Sequence, residues 1–84
     1  MRLSRDLSGE ELARLLARSF GYNRVRQRGS HLTLVVHDER GMEHHLTIPM
    51  HRSVSVGTLG ALVSTIAEHL DLSRDQVRKR LFDE

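Results

Sequence analysis

The segment "HLTLVVHDERGMEHHLTIP", residues 31–49, decides the fold, because it has the pattern of two strands joined by a tight turn. Aliphatic and polar residues alternate in both halves, as they do in strands with one buried face. A three-residue loop over residues 39–41, with Gly41 in the left-handed conformation, brings the aliphatic residues of the two strands together. The predicted cross-strand pairs are Leu32 with Ile48, Leu34 with Leu46, and Val36 with His44. A four-residue loop would oppose Thr33 to Leu46 and mix the faces, so we expect the shorter loop.

The other face of this hairpin is mainly polar. It carries His31, Thr33, Val35, His37, Glu43, His45 and Thr47. An antiparallel sheet with one apolar face needs helices to cover that face, so the hairpin predicts an α+β fold.

A further strand precedes the hairpin, in "YNRVRQR", residues 22–28. Regular alternation would place Arg24, Arg26 and Arg28 on one side and Val25 on the other. The sequence therefore predicts a basic stripe on one face of this strand, just before the Gly29-Ser30-His31 step.

Helices are signalled on both sides of the three strands. Ser8 and Glu11 form a capping box for a helix at about residues 9–20, and Gly21 provides its C-terminal stop. After the strands, Ser55 is the expected N-cap of a second helix. Its apolar face comprises Leu59, Leu62, Val63, Ile66 and Leu70. A second capping box, Ser73 with Gln76, predicts a short third helix.

Length and composition limit the classes of protein and compartment. With 84 residues and no Pro-rich, Gly-rich or repeated segment, we expect one domain over residues 1–84, with a small core. There is no cysteine, so disulfides and thiolate metal sites are excluded. No apolar run approaches the length of a membrane span, and the first residues lack a signal-peptide pattern, so we expect a soluble, cytoplasmic protein.

The basic residues are biased in type and position. The net charge is only +2, but 12 of the 13 basic residues are arginine, whose planar guanidinium matches phosphate oxygens. Residues 1–30 hold seven arginines against three acids, whereas residues 31–70 hold two arginines against four acids. This asymmetry favours an anionic partner near His31.

Four segments together resemble the HicA family of bacterial toxin–antitoxin toxins, which are mRNA interferases. They are "LSGEELARLL" (7–16), "FGYNRVRQRGSH" (20–31), "HLTIPMH" (45–51) and "VGTLGALV" (56–63). The resemblance covers most of residues 5–70, and its most specific part is Gly-Ser-His after a basic strand with Pro-x-His about eighteen residues later. It implies a double-stranded-RNA-binding-domain-like fold, in which a helix, three antiparallel strands and a second helix follow one another. This chain would add a C-terminal helix to that fold.

The resemblance also implies a function and its partners. His31 would be the catalytic residue of an endoribonuclease that cleaves mRNA, and a HicB-like antitoxin would bind the toxin, form an oligomer with it and cover His31. Histidine titrates near neutrality and suits proton transfer to or from RNA. The predicted RNA contacts are Arg24, Arg26, Arg28, Gly29, Ser30, His45 and His51. The second proton is assigned to water, His51 or His45 without a choice among them.

Two alternatives to the nuclease remain open. One is an RNA-binding module without catalysis, although the second helix begins "SVSVGTLG", without the basic residues that such domains use. The other is a protein-interaction module. No cofactor is expected, and no metal site is predicted, because the histidines lack acidic or thiolate neighbours at ligand spacing.

Overall fold

The structure is a computed structural model that describes residues 7–82. Its elements are α1 (Gly9–Phe20), β1 (Asn23–Arg28), β2 (His31–His37), β3 (Glu43–Pro49), α2 (Val56–Leu70) and α3 (Arg74–Phe82). The strands form an antiparallel sheet in the order β1-β2-β3. The predicted α+β order, with an added C-terminal helix, is therefore confirmed.

The predicted helix ends are also confirmed. The Glu11 backbone N–H donates to Ser8 Oγ at 3.0 Å, and the Ser8 N–H donates to Glu11 Oε1 at 3.0 Å. Gly21 closes α1 in the left-handed conformation, with φ of 81°. Ser55 caps α2, and Ser73 and Gln76 form the reciprocal bonds of the second capping box.

The β2–β3 register agrees with the prediction. Leu32 pairs with Ile48, Leu34 with Leu46 and Val36 with His44. In the turn, the Asp38 N–H donates to the Met42 carbonyl at 2.9 Å, and Gly41 has φ of 84°, which leaves residues 39–41 as the loop. The Asp38 carboxylate accepts the backbone N–H groups of Arg40 and Met42, so the turn is fixed by its own side chain.

The prediction that three arginines share one face of β1 is wrong. Arg24 pairs with Leu34 and Arg26 pairs with Thr33, so a β-bulge falls between the two arginines. Because the bulge adds one residue to β1, the alternation changes phase there. Arg26 and Arg28 lie on the polar face, whereas Arg24 lies on the helix side and its guanidinium pairs with Glu10 of α1.

The helices pack on one face of the sheet and form the core there with β2 and β3. Leu12, Leu16, Leu34, Ile48, Val63 and Ile66 have no exposed surface. α3 belongs to the same core, since Val77, Leu81 and Phe82 are buried and in its cluster. No helix among residues 7–82 is long and apolar enough to span a membrane.

Candidate active site

The Gly29-Ser30 turn between β1 and β2 brings a basic and a titratable side chain together. Arg28 and His31 are cross-strand partners on either side of this two-residue turn. Gly29 has φ of 56°, a conformation that glycine adopts without steric cost. Neighbouring side chains on one face of an antiparallel pair lie within contact range, so Arg28 places positive charge beside the His31 ring.

Backbone hydrogen bonds join the segment after β3 to this turn and to the start of α1. The Met50 N–H donates to the Ser30 carbonyl at 2.6 Å, and the Gly9 N–H donates to the His51 carbonyl at 2.9 Å. A Cβ at Gly9 would lie 2.2 Å from the Pro49 carbonyl oxygen, so only glycine allows α1 to approach so closely. These contacts hold His51 and Arg52 at the same end of the molecule as His31.

The His31 side chain is unengaged. His31 is exposed, and no other residue in the described range 7–82 forms a hydrogen bond or ion pair with its ring. Two surface depressions, of about 380 and 340 Å³, lie at the other end of the hairpin, beside Asp38 and Glu39. An imidazole so placed is accessible to an extended polymer as well as to a small molecule.

The structure brings together most, but not all, of the predicted site residues. Arg26, Arg28, Gly29, Ser30 and His51 lie around His31, on the adjoining strand, turn and loop. Arg24 is on the opposite face.

His45 lies further along the open side of the sheet. His45 pairs with Val35, whereas His31 pairs with Pro49. The two histidines are therefore four residues apart along the strand direction, or about 13 Å. Its Nε2 is also 2.8 Å from Glu43 Oε2. His45 is therefore not in position to exchange a proton at the same phosphate as His31.

Arg52 is a further basic residue at this end, and it is not among the predicted site residues. It is exposed and follows His51 in the segment joined to Ser30 and Gly9. Its position depends on backbone contacts between distant segments, and no local pattern in "PMHRSVS" indicates them. The signal available from sequence was only that it adjoins His51.

A second histidine cluster lies at the far end of the hairpin. His44 Nε2 is 2.9 Å from Asp38 Oδ2, and the His44 ring stacks on His69 with centroids 4.7 Å apart. The hydroxyl of buried Tyr22 is 3.0 Å from His69 Nδ1. This cluster joins β3, α2 and the start of β1, and it is separate from His31.

Burial and charge change the proton affinities in this cluster. Burial, and then the neighbouring His44, lower the pKa of His69, while Glu68 opposes that shift. The hydrogen bond from His44, together with the Met42 and Arg40 N–H groups, lowers the pKa of Asp38. Burial raises the pKa of Tyr22. No three His, Asp or Glu side chains among residues 7–82 converge as a set of metal ligands.

The chain matches a family model described as the HicA toxin of bacterial toxin–antitoxin systems, over residues 9–72. No curated protein and no solved structure matches it significantly. The matched range includes the Gly-Ser-His turn, all three strands, α1 and α2, but it ends before α3. Because the match covers most of the chain and includes this turn, the chain belongs to the HicA family of toxins of bacterial toxin–antitoxin systems.

Proposed function

We propose that this toxin is a metal-independent endoribonuclease that cleaves mRNA, with His31 as its catalytic residue. The observation that carries the proposal is an exposed, unengaged imidazole beside Arg28 in a member of the HicA family. An imidazole with no partner among residues 7–82 is available to exchange a proton with a substrate. Histidine is the side chain that most often acts as a general acid or base.

RNA supplies the nucleophile for this reaction. The 2′-oxygen attacks the adjacent phosphorus, its proton passes to a base, and the bond from phosphorus to the 5′-oxygen breaks as that oxygen takes a proton. The products carry a 2′,3′-cyclic phosphate and a 5′-hydroxyl. His31 performs one of the two proton transfers, and the protein needs no activated water or metal-bound hydroxide.

Charge and backbone geometry around His31 suit the transition state. Negative charge grows on the non-bridging phosphate oxygens, and Arg28, the cross-strand neighbour of His31, offsets it. Gly29 has no side chain, so a phosphate can approach the turn closely, and the Ser30 hydroxyl can donate a hydrogen bond. Arg52 supplies a further cation from the loop after β3.

His51 is the group that we assign to the second proton transfer. Its backbone is held by Gly9, and the preceding Met50 is hydrogen-bonded to Ser30. His45, the other histidine considered, is about 13 Å further along the sheet. Two histidines on either side of one phosphate would act as acid and base in turn.

The partner implied by the family is an antitoxin, and we propose a HicB-like protein that covers His31, Arg26 and Arg28. These side chains are exposed and share one face. An acidic antitoxin surface would neutralise them and block RNA at the same place. Full activity would then require release of the antitoxin.

Cleavage of a labelled single-stranded RNA in EDTA tests the catalytic assignment. We expect the wild-type protein to leave a 2′,3′-cyclic phosphate and His31→Ala to lose at least about a hundredfold in rate. His37→Ala is the matched control, because His37 is exposed on the same strand and face but at the other end. If neither wild type nor control cleaves RNA but both bind it, the protein is an RNA-binding module instead.

A further inference from the structure

The face of the sheet away from the helices presents its side chains in rows. Cross-strand pairing places Arg28, His31 and Pro49 in the first row, Arg26, Thr33 and Thr47 in the second, Asn23, Val35 and His45 in the third, and His37 and Glu43 in the fourth. We call this surface the open face. No described element, within residues 7–82, packs on it.

Charge changes sign along the open face. The first two rows carry Arg28 and Arg26, and neither forms an ion pair with an acidic side chain among the described residues. The last row carries Glu43, which is 2.8 Å from His45 Nε2 and 3.9 Å from His37 Nε2. An anionic chain would therefore be attracted at the His31 end and repelled at the Glu43 end.

The spacing of the rows suits a nucleic acid strand. Two residues of an antiparallel strand advance about 6.8 Å, which is close to one nucleotide of an extended single strand. A phosphate held at Arg28 and His31 would place the next phosphate of the chain at Arg26. The bulge makes this possible, because it sets Arg26 directly opposite Thr33 on the open face.

The third row offers a surface for a base. Val35 lies on the open face but is only 8 % exposed between Asn23 and His45, so a base in this row would meet mainly the His45 ring. The His45 side chain is 60 % exposed, so one side of its ring is accessible for stacking. Sheet faces of this kind bind single-stranded RNA through stacked bases in other folds.

We propose that single-stranded RNA lies along the open face, with the scissile phosphate at His31, the adjacent phosphate at Arg26 and the following base against the His45 ring. The start of this path, the scissile phosphate at His31, rests on the proposed function. The path adds that the protein binds about two nucleotides on one side of the cleavage site, and that Glu43 ends the path. Duplex RNA is excluded as the preferred ligand, because A-form stacking prevents the backbone rotation that in-line attack requires.

Binding measured without cleavage tests the path separately from the chemistry. Fluorescence anisotropy of a labelled single-stranded RNA, in the His31→Ala background, compares Arg26→Gln with Arg24→Gln. The two arginines are on the same strand and two residues apart, but the bulge places only Arg26 on the open face. We expect Arg26→Gln to weaken binding about fivefold or more and to reduce the salt slope by about 0.7, and Arg24→Gln to stay within about twofold of its parent.

Two further outcomes decide the proposal. Equal effects of the two substitutions, or no effect of Arg26→Gln, would overturn the path even if wild type cleaves RNA. A blunt duplex of the same sequence should compete about tenfold less well than the single strand, and equal competition would overturn the single-stranded assignment. If the wild-type protein does not cleave RNA but Arg26→Gln still weakens binding, only the proposed nuclease activity is rejected and the binding path stands.

Discussion

Gly9 is the residue at which the site depends most directly on the absence of a side chain. Its N–H donates to His51, and its Cα lies against the Pro49–Met50 backbone. The sequence indicated Gly9 only as a position inside a helix start, where glycine has no special value. The reason for glycine is the contact with residues 49–51, which are 40 positions away in the chain.

Replacing Gly9 by alanine should therefore destabilise the protein. The new methyl carbon would meet the Pro49 carbonyl oxygen at 2.2 Å, and backbone cannot move aside cheaply. Forced overpacking of this kind costs about 1–3 kcal/mol in the free energy of unfolding, which urea denaturation would measure.

Gly57→Ala is the matched control for Gly9→Ala. Gly57 lies in the first turn of α2, and no atom of residues 7–82 other than its own chain neighbours lies within 4 Å of an added Cβ there. We expect this substitution to be neutral or to stabilise by up to about 1 kcal/mol. Equal destabilisation of both variants would contradict the close contact at Gly9.

At the scale of elements, the bulge in β1 shows what the sequence could and could not predict. The strands, the β2–β3 register and the helix caps follow from local rules, since each is set by an alternation, a turn or a cap that spans only a few positions. A period of two assumes a regular strand, so it placed Arg24 with Arg26 and Arg28. The strand is irregular at Val25, and no residue there marks the bulge.

The contacts that assemble the site are likewise of long range. Ser30 meets Met50 across 20 positions, and Gly9 meets His51 across 42 positions. His31 itself was predicted through the family resemblance, because exposure and strand position alone do not single out one histidine among six. The sequence therefore predicts the turn, its basic strand and His51, but not Arg52 or the backbone hydrogen bonds that hold the loop at this end.

α3 is an element beyond the matched family range that is nevertheless part of the core. Phe82, near the end of α3, is 2 % exposed. At the start of α3, the Arg74 guanidinium donates to the Gly60 carbonyl of α2 at 3.0 Å. Phe82→Ala should reduce the free energy of unfolding by about 3–5 kcal/mol. Lys79→Ala, on the exposed side of the same helix, should change it by less than about 0.5 kcal/mol, as measured by urea denaturation. A small effect of Phe82→Ala would mean that α3 is not docked.

For the whole molecule, the histidine cluster predicts how stability depends on pH. The pKa of His69 is lower in the folded state than its ordinary 6.5, so the unfolded chain binds more protons in this range. The contribution of His69 to stability is therefore complete above about pH 6.5 and is lost as the pH falls toward its folded pKa. Asp38, whose pKa lies below 3.8, stays ionised throughout that window.

Thermal unfolding between pH 7.5 and 5 measures this dependence. We expect Tm to fall with pH in the wild type and to fall less steeply in His69→Gln. Glu68→Gln should make the fall steeper, because Glu68 favours the charged form of His69. The same slope in wild type and His69→Gln would show that this cluster does not set the acid stability.

The backbone hydrogen bonds that join residues 50–54 to Ser30 and to Leu7 also bear on the activity of the protein while it is being synthesised. A nascent chain that has emerged from the ribosome only as far as β2 exposes His31 and its arginines, but not His51, Arg52 or the Val54 N–H that bonds to the Leu7 carbonyl. On the proposed assignment, an unfinished polypeptide cannot cut the message from which it is being translated.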